Sequence, residues 1–598
     1  QMELGALIHD ETGATGAVSA TLQATGLDLK EKQLSVGSAG TGAVLGNTLA
    51  TVANVDHASF DLEVHKAQHQ DRVRRELNVR RPLDTDLRVL GFSREHENSA
   101  RLEFPKDAIG TLSEAQVTVD RAGLAVLAPF LVQVVDYPFG CTEQTVSALS
   151  AMLASPELTA AVLPERASKD ALRKRVLEGQ ALLMRARTPD GTFALYPSMR
   201  GRPEITALVL DVALQMRTAG YEVPEAMRGG AIEALRGWVK AQALAKLQPT
   251  DRVLAAFSAE LLARAGKPDE ALETELWNLR EQLDDEALAH LVLALATHDA
   301  HADRRTDLIS RLAAERWLTV QRDVMLPWRS AEALSGIVLT ALATARAPEA
   351  QQKHVADWLI TRASDPNAWF STRDTAETLT GLGAWAKRLH GGETRVSIGL
   401  DGKTWYSGTL HGAQVVSLRK LASEVTAGQL WIKADTDVVS AIRRKDVRES
   451  APRNAFARGL SVKRRYLDPK TGTPLGEIKL GDLVQVVLEL STETGLPMVA
   501  LTDPLPAGLE PLDPGLSTGT LAGCNTCDSA SWGFDYVRRR DDRIDAFAER
   551  LTPGTHTIRY LLRATIAGTF SAPGAEVLPM YSPNLFGRSE VGRVQIKR

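Results

Sequence analysis

"YPFGCTEQTVSALS", residues 137–150, places a cysteine, a glutamate and a glutamine within four consecutive positions behind a Pro-Phe-Gly turn. Proline fixes its own φ and glycine accepts a positive one, so Pro138 and Gly140 allow a sharp turn. Cys141 then starts what reads as a helix, and Gln144, three positions on, lies on the same face. A helix N-terminus stabilises the thiolate, which is the reactive form of cysteine. A thiolate facing a side-chain amide can expel ammonia and close an internal acyl thioester. Glu143 stands beside that ring, placed to orient the amide or to help remove ammonia. Two other readings stay open at this point. Cys141 is a small buried apolar residue, or it is a nucleophile served by a histidine, with His290, His298 and His301 as candidates.

Around this stretch the chain changes texture twice. Residues 1 to about 120 alternate apolar and polar positions, as in "ASFDLEVHKA" and "EAQVTVDRA", which is the period of half-buried antiparallel strands. From about 122 to 389, apolar residues recur at three and four in a background of alanine, leucine and arginine. "ITALVLDVALQMRTAG", "TDRVLAAFSAELLARAGKP", "DEALAHLVLALATHD", "AEALSGIVLTALATARAP" and "DTAETLTGLGAWAKRLHGG" are amphipathic helices ending at Gly, Pro or a charged cluster. They recur every 40 residues or so with a second helix between them, and several are apolar on more than one face. Packing in two layers explains this, and a closed α/α toroid or an open solenoid both fit. After residue 390 the β texture returns and persists to Arg598. The β stretches 75–120 and 391–448 are each too short for a sandwich, but together they make one β domain with the helical block inserted between its halves.

Composition narrows the function. A chain of 598 residues exceeds one core and predicts about three to five units. A net charge of −4 gives no electrostatic footprint for nucleic acid or a membrane surface. No apolar run approaches the roughly 20 residues that span a bilayer. The opening "QMELGALIHDETG" lies in mid-domain, so a fragment is expected whose targeting signal lies upstream. The other two cysteines form "CNTC" at Cys524 and Cys527, which reads as half a zinc site, a redox pair, a local disulfide or two inert thiols. No second CxxC completes a zinc set, and His556 does not stand at a usual ligand spacing. "HLVLALATHDAH" puts His290, His298 and His301 on one helical face, as packed residues or as metal ligands.

"YPFGCTEQT" resembles the thioester motif of the alpha-2-macroglobulin and complement superfamily, whose Gly-Cys-x-Glu-Gln pattern is complete here from Gly140 to Gln144. "DGTFALYPSMRGRPEITALVLDVALQ" and "WFSTRDTAETLTGL" resemble later parts of such thioester domains. "LTDPLPAGLEP", "RRDDRIDAFAERLTPGTHTIRYLLRATIAGTF" and "MYSPNLFGRS" look bacterial. The likeness covers nearly the whole chain.

The resemblance implies a multidomain fold, mixed all-β and all-α. Residues 1–74 would be a macroglobulin-like β-sandwich. Residues 75–120 and 391–450 would form a CUB-type β domain, split by an α/α toroid thioester domain at 121–390. Residues 452–598 would be the C-terminal macroglobulin-like β-sandwich. The function implied is a broad-spectrum protease inhibitor, a trap rather than an enzyme, which captures proteases through lysine amines once an upstream bait region is cut. Cys141 and Gln144 would carry the cross-link with Glu143 in support. The resemblance implies no cofactor, no metal and no nucleic acid, and a monomer in the periplasm of a Gram-negative bacterium. A lipid anchor outside this fragment would tie it to the inner membrane.

An exposed thioester hydrolyses, so water must be kept away. Tyr137 and Phe139 within the motif, Phe130 upstream, and Met580 and Tyr581 from "PMYSP" are the expected shield. Hydroxyl-preferring members of the superfamily carry a histidine well beyond the cysteine. This chain has none between His96 and His290, so amines are the expected nucleophiles. Two rival readings are a structural envelope scaffold with no formed thioester and an α/α-toroid enzyme acting on carbohydrate or isoprenoid. The toroid segment lacks the Asp-rich cluster of the latter.

Overall fold

The computed structural model describes residues 2–9, 17–34, 43–52, 57–78, 83–320, 329–365, 367–389, 392–449, 454–512, 529–530 and 533–598. "CNTC" lies outside them. The chain divides into two compact units, Asp84–Arg448 and a second formed by Gln1–Leu83 with Glu449–Arg598.

In Asp84–Arg448, six helices form an inner ring: Thr142–Ala154, Pro203–Thr218, Pro249–Arg264, Asp285–Thr297, Ala331–Thr344 and Thr372–Arg388. Each packs on the next, and the last packs on the first. That closing contact decides for a toroid over an open solenoid. Lys169–Arg185, Glu225–Lys240, Glu270–Asn278, Ala302–Leu312 and Glu349–Ser364 alternate with them in the chain and lie outside the ring. The inner helices touch neighbours on nearly every side, which is why their apolar stripe is wide. In one of them Asp285 through Leu295 are all buried. The outer helix Ala302–Leu312 buries Leu308 and Leu312 alone, the pattern of a helix with one face in water.

Local signals set where these helices begin. Proline occupies the first position at Pro203 and Pro249, where its missing N–H costs nothing. Asp284, Ser330 and Ser371 cap the following three, each accepting a backbone N–H of the first turn. The ring closes tightly where Ala331–Thr344 crosses Thr372–Arg388. A Cβ on Gly336 would stand 2.3 Å from the carbonyl oxygen of Glu377, and one on Gly381 would stand 2.6 Å from that of Gly336. Only glycine fits at either position.

One expectation fails here. Helix Asp285–Thr297 stops before His298, which caps it, and Asp299 and His301 have positive φ. The three histidines therefore do not share one helical face.

Two four-stranded sheets accompany the ring. One orders Val415–Leu421, Glu114–Asp120, Val439–Glu449 and Leu83–Ser93, and the other Lys403–His411, Glu393–Leu400, Gly428–Ala434 and Glu97–Leu102. Each joins strands from before and after the helical block, and their facing side chains, among them Val117, Val119, Ile398 and Ile432, form one core. The chain leaves through Asp120. Its buried carboxylate accepts the N–H groups of Ala122, Gly123, Leu124 and Ala125 at 2.5–3.1 Å. Burial nonetheless pushes its pKa up to about 6. Gly123, at φ 91°, makes the turn there.

In the second unit the strand His69–Asn78 pairs with His57–Lys66 along its whole length, so the first sheet strands run on past residue 74. Residues 456–588 add two further sheets, while Gly568–Ala572 and Gly592–Lys597 join the sheet of Met2–His9 and Ala43–Val52. Leu483–Thr492 and Gly554–Ala564 form the centre of one, with Leu460–Leu467 at its edge, and Glu576–Pro579, Leu496–Pro504 and Arg543–Leu551 the centre of the other. Apolar residues of both fill one core. A buried ion pair lies within this unit. Arg464 donates to Asp503 at 2.5 Å, and the Tyr560 hydroxyl donates to the same carboxylate.

Candidate thioester site

Cys141 has the extended backbone of a helix cap, φ −70° and ψ 173°, and Gly140 before it has φ 59°. Helix Thr142–Ala154 follows immediately. The cap is reciprocal. The Gln144 N–H donates to Cys141 Sγ at 3.4 Å, and the Cys141 N–H donates to Gln144 Oε1 at 3.1 Å. The first bond stabilises negative charge on sulfur at a helix N-terminus, where the dipole helps. The second polarises the amide carbonyl that the sulfur would attack and supplies a donor for the oxyanion formed on attack. One short turn thus brings the Cys141 sulfur and the Gln144 amide together.

The site is dry. Cys141 is 1% exposed, Gln144 2% and Glu143 fully buried. The neighbouring loop helps to hold it, because Thr142 donates its N–H to Leu195 O at 2.9 Å and its hydroxyl to Ala194 O at 2.7 Å. Those residues lie in "DGTFALYPS", whose Phe193, Ala194, Leu195 and Tyr196 are all buried.

Glu143 points away from solvent into hydroxyls. Ser147 Oγ donates to Oε1 at 2.6 Å, and Thr372 Oγ1 donates to the two carboxylate oxygens at 3.1 and 2.9 Å. Arg373, next to Thr372, faces Glu143 electrostatically but is ion-paired to Glu377 at 3.0 Å. Burial pushes the Tyr137 hydroxyl pKa up, and the charges of Glu143 and Cys141 push it further.

The expected shielding residues fall in three places. Tyr137 and Phe139 adjoin the motif with rings edge to face at 5.6 Å, and Phe139 is buried. Phe130, on helix Ala128–Val135, belongs to the helical core and packs at a tilt against Phe370, ring centroids 4.6 Å apart, just ahead of the Ser371 cap. Met580 and Tyr581 are buried in the other compact unit, where the Met580 N–H donates to Met498 O. Thr372 and Ser147 were not singled out by sequence reading. Thr372 lies in "WFSTRDTAETLTGL", quoted for its likeness alone, and no local pattern announces a contact 229 residues from Glu143.

The histidines have partners of their own. His290 and Glu260 lie 2.6 Å apart in the ring, and His298 is 3.0 Å from Glu273. Carboxylates on the inner helices are also paired: Glu286 with Arg329, and Glu260 and Asp211 with Arg264. Burial pushes Glu377 up to about 7 against the pull of Arg373. Among the described residues no group of His, Cys, Asp and Glu is arranged to hold a metal ion.

Known proteins share this architecture. Residues 459–584 match the bacterial alpha-2-macroglobulin MG10 domain. The alpha-2-macroglobulin of Escherichia coli K12 is 25% identical over 513 residues, which cover 80% of this chain and 30% of the relative. This chain therefore spans about a third of that relative's length. Native Escherichia coli alpha-2-macroglobulin, solved from domain MG7 to the C-terminus, aligns with all of this chain and 97% of its own at a TM-score of 0.79 and 20% identity. Salmonella alpha-2-macroglobulin reacted with methylamine aligns with all of this chain and 40% of its own, again at 0.79 and 20%. The chain carries a bacterial alpha-2-macroglobulin MG10 domain and is similar along its length to the C-terminal part of bacterial alpha-2-macroglobulins.

Proposed function

We propose that Cys141 and Gln144 form an internal thioester with which this chain, as part of an alpha-2-macroglobulin-like protein, captures attacking proteases covalently. The observation that carries the reading is the reciprocal cap, in which the cysteine sulfur and the glutamine amide share one buried helix N-terminus. Formation balances without a co-reactant. The Cys141 thiol gives its proton to Glu143, sulfur attacks Gln144 Cδ while the Cys141 N–H holds the oxyanion, and Nε2 leaves as ammonia with that proton. Capture runs the other way. A lysine amine attacks Cδ, the C–S bond breaks, an amide forms, and the amine's proton ends on the Cys141 sulfur. Gln144 is consumed, so each molecule acts once. Tyr137 and Phe139 shield the bond until then, and on this reading the protein works in the periplasm. That a Salmonella relative was solved after reaction with methylamine supports an amine as the nucleophile.

The test uses the full-length protein and a lysine-rich protease. Mixing them is expected to give a conjugate that survives denaturation and reduction. It is expected to vanish when the protease's lysines are methylated or when Cys141 is replaced by serine. A conjugate that still forms with Cys141→Ser, or none with the unaltered protein, overturns the reading.

A further inference from the structure

Toward their N-termini, five inner helices enclose a hollow of about 70 Å³. Leu208, Leu254, Phe257 and Leu334 give it an apolar wall, and the Phe257 ring stacks on His290 at 4.5 Å. Two groups of opposite charge, Glu286 and Arg373, line the same hollow, and each is only 8% exposed. Neither is fully hydrogen-bonded. Glu286 Oε2 accepts from Arg329 Nε at 2.6 Å, while its Oε1 accepts nothing among the described residues. Arg373 meets Glu377 through Nη2 at 3.0 Å, and its Nε and Nη1 donate to nothing among the described residues. Glu286 and Arg373 attract each other, yet no ion pair joins them. Arg373 is also awkwardly placed. A cation in the first turn of a helix opposes the dipole, and a buried charge with unused donors carries a desolvation cost.

We propose that this hollow binds a free α-amino acid with a small apolar side chain. Its carboxylate meets Arg373 Nε and Nη1, its ammonium meets Glu286 Oε1, and its side chain lies against Leu254 and Phe257. The size fits. At about 10–15 Å³ for each water-sized sphere, the hollow has room for roughly five to seven of them, the scale of alanine or valine. Charge selects the class. Glu377, Glu286, Glu143 and Asp211 all act on Arg373, so a bare anion would meet four carboxylates. A bare amine would leave the Arg373 donors empty. A zwitterion with its two charges on neighbouring groups fills donors and acceptor together and adds no net charge. Binding here uses neither Cys141 nor Gln144, so it stands or falls apart from the thioester reading.

The experiment is calorimetric titration of the full-length protein with L-alanine and L-valine. Valinamide, which lacks the carboxylate, and 3-methylbutanoate, which lacks the ammonium, serve as controls. One equivalent of valine is expected to bind with a Kd on the order of 0.1–1 mM. Each control is expected to bind about ten- to hundredfold more weakly, the scale of one hydrogen bond to a charged group. Glu286→Gln, which keeps the shape, is expected to abolish the preference for valine over 3-methylbutanoate, and Arg373→Gln the preference over valinamide. If Arg373→Gln does not fold, Glu286→Gln and the probes on the unaltered protein decide. Cys141→Ser is expected to bind valine as the unaltered protein does. No binding of either amino acid at about 10 mM, equal affinity for valine and both controls, or preferences kept in both variants overturns the site. Loss of valine binding in Cys141→Ser would assign the heat to the thioester and overturn it as well.

Discussion

The amide N–H of Cys141 bonds to the side-chain oxygen of Gln144 while the amide N–H of Gln144 bonds to the sulfur of Cys141. Because both donors are backbone N–H groups, a serine hydroxyl at 141 can keep the cap while the sulfur chemistry is lost. Serine is as good a cap as cysteine or better, so Cys141→Ser is expected to unfold at an unchanged denaturant midpoint. It is expected to lose all methylamine incorporation. A fall in the midpoint with incorporation retained would show that the sulfur has a structural role only.

Ring closure depends on two glycines. A methyl at Gly336 meets the Glu377 carbonyl, which is backbone and cannot swing aside. Gly336→Ala is expected to cost about 1–3 kcal/mol through overpacking, or more if the helices separate. Since Thr372 rides on the displaced helix, thioester content is expected to fall with stability. Urea titration with parallel thiol counting checks this, and a fully stable Gly336→Ala variant would speak against the close crossing.

The buried pair of His290 and Glu260 makes ring stability depend on pH. Burial alone would lower the His290 pKa, but the hydrogen bond and charge of Glu260 outweigh it and hold it above its ordinary value. Burial would raise Glu260, but His290 and Arg264 outweigh it and hold it below. The histidine's contribution is complete below its unfolded value of 6.5 and fades as pH climbs through the raised folded value. The carboxylate's contribution is complete above 4.5 and fades as pH falls through the lowered folded value. The stability gap between unaltered protein and His290→Gln is therefore expected to be widest between pH 4.5 and 6.5. Thermal unfolding of both across pH 3 to 9 measures it. A gap that does not vary would mean the pair is neutral in the fold.

In the unit that contains the MG10 domain, Asp503 serves both Arg464 and Tyr560. Asp503→Asn leaves a buried guanidinium without its counter-charge and is expected to cost about 3–5 kcal/mol. Tyr560→Phe, which removes one hydrogen bond to a charged group, is expected to cost about 1.5–3 kcal/mol. Hydrogen exchange in the strand Leu483–Thr492, which pairs with the strand carrying Tyr560, reads both. Equal and negligible effects would contradict the pair's role.

How much of this was written in the sequence varies with the range of the interaction. The five quoted helical stretches lie on inner helices of the ring, because burial on several faces leaves a visible excess of alanine and leucine. Their C-terminal stops were readable as well, being local. That the ring closes was not readable, since it depends on glycines 336 and 381 meeting a backbone far away in the chain. The Cys141–Gln144 geometry was legible because it spans three residues. The hydroxyl of Thr372 was not, because a threonine at a helix start looks the same whether it faces water or a carboxylate 229 positions away. The histidines misled for a related reason. Periodicity carried them along one helix, and the backbone left that helix at Thr297.

The most direct test is the intact mass and free-thiol content of freshly purified protein, before and after methylamine. The account predicts a mass short by one ammonia and no reactive thiol at Cys141, then one methylamine gained and one thiol released. A full-length mass with Cys141 already reactive, unchanged by the amine, would contradict it.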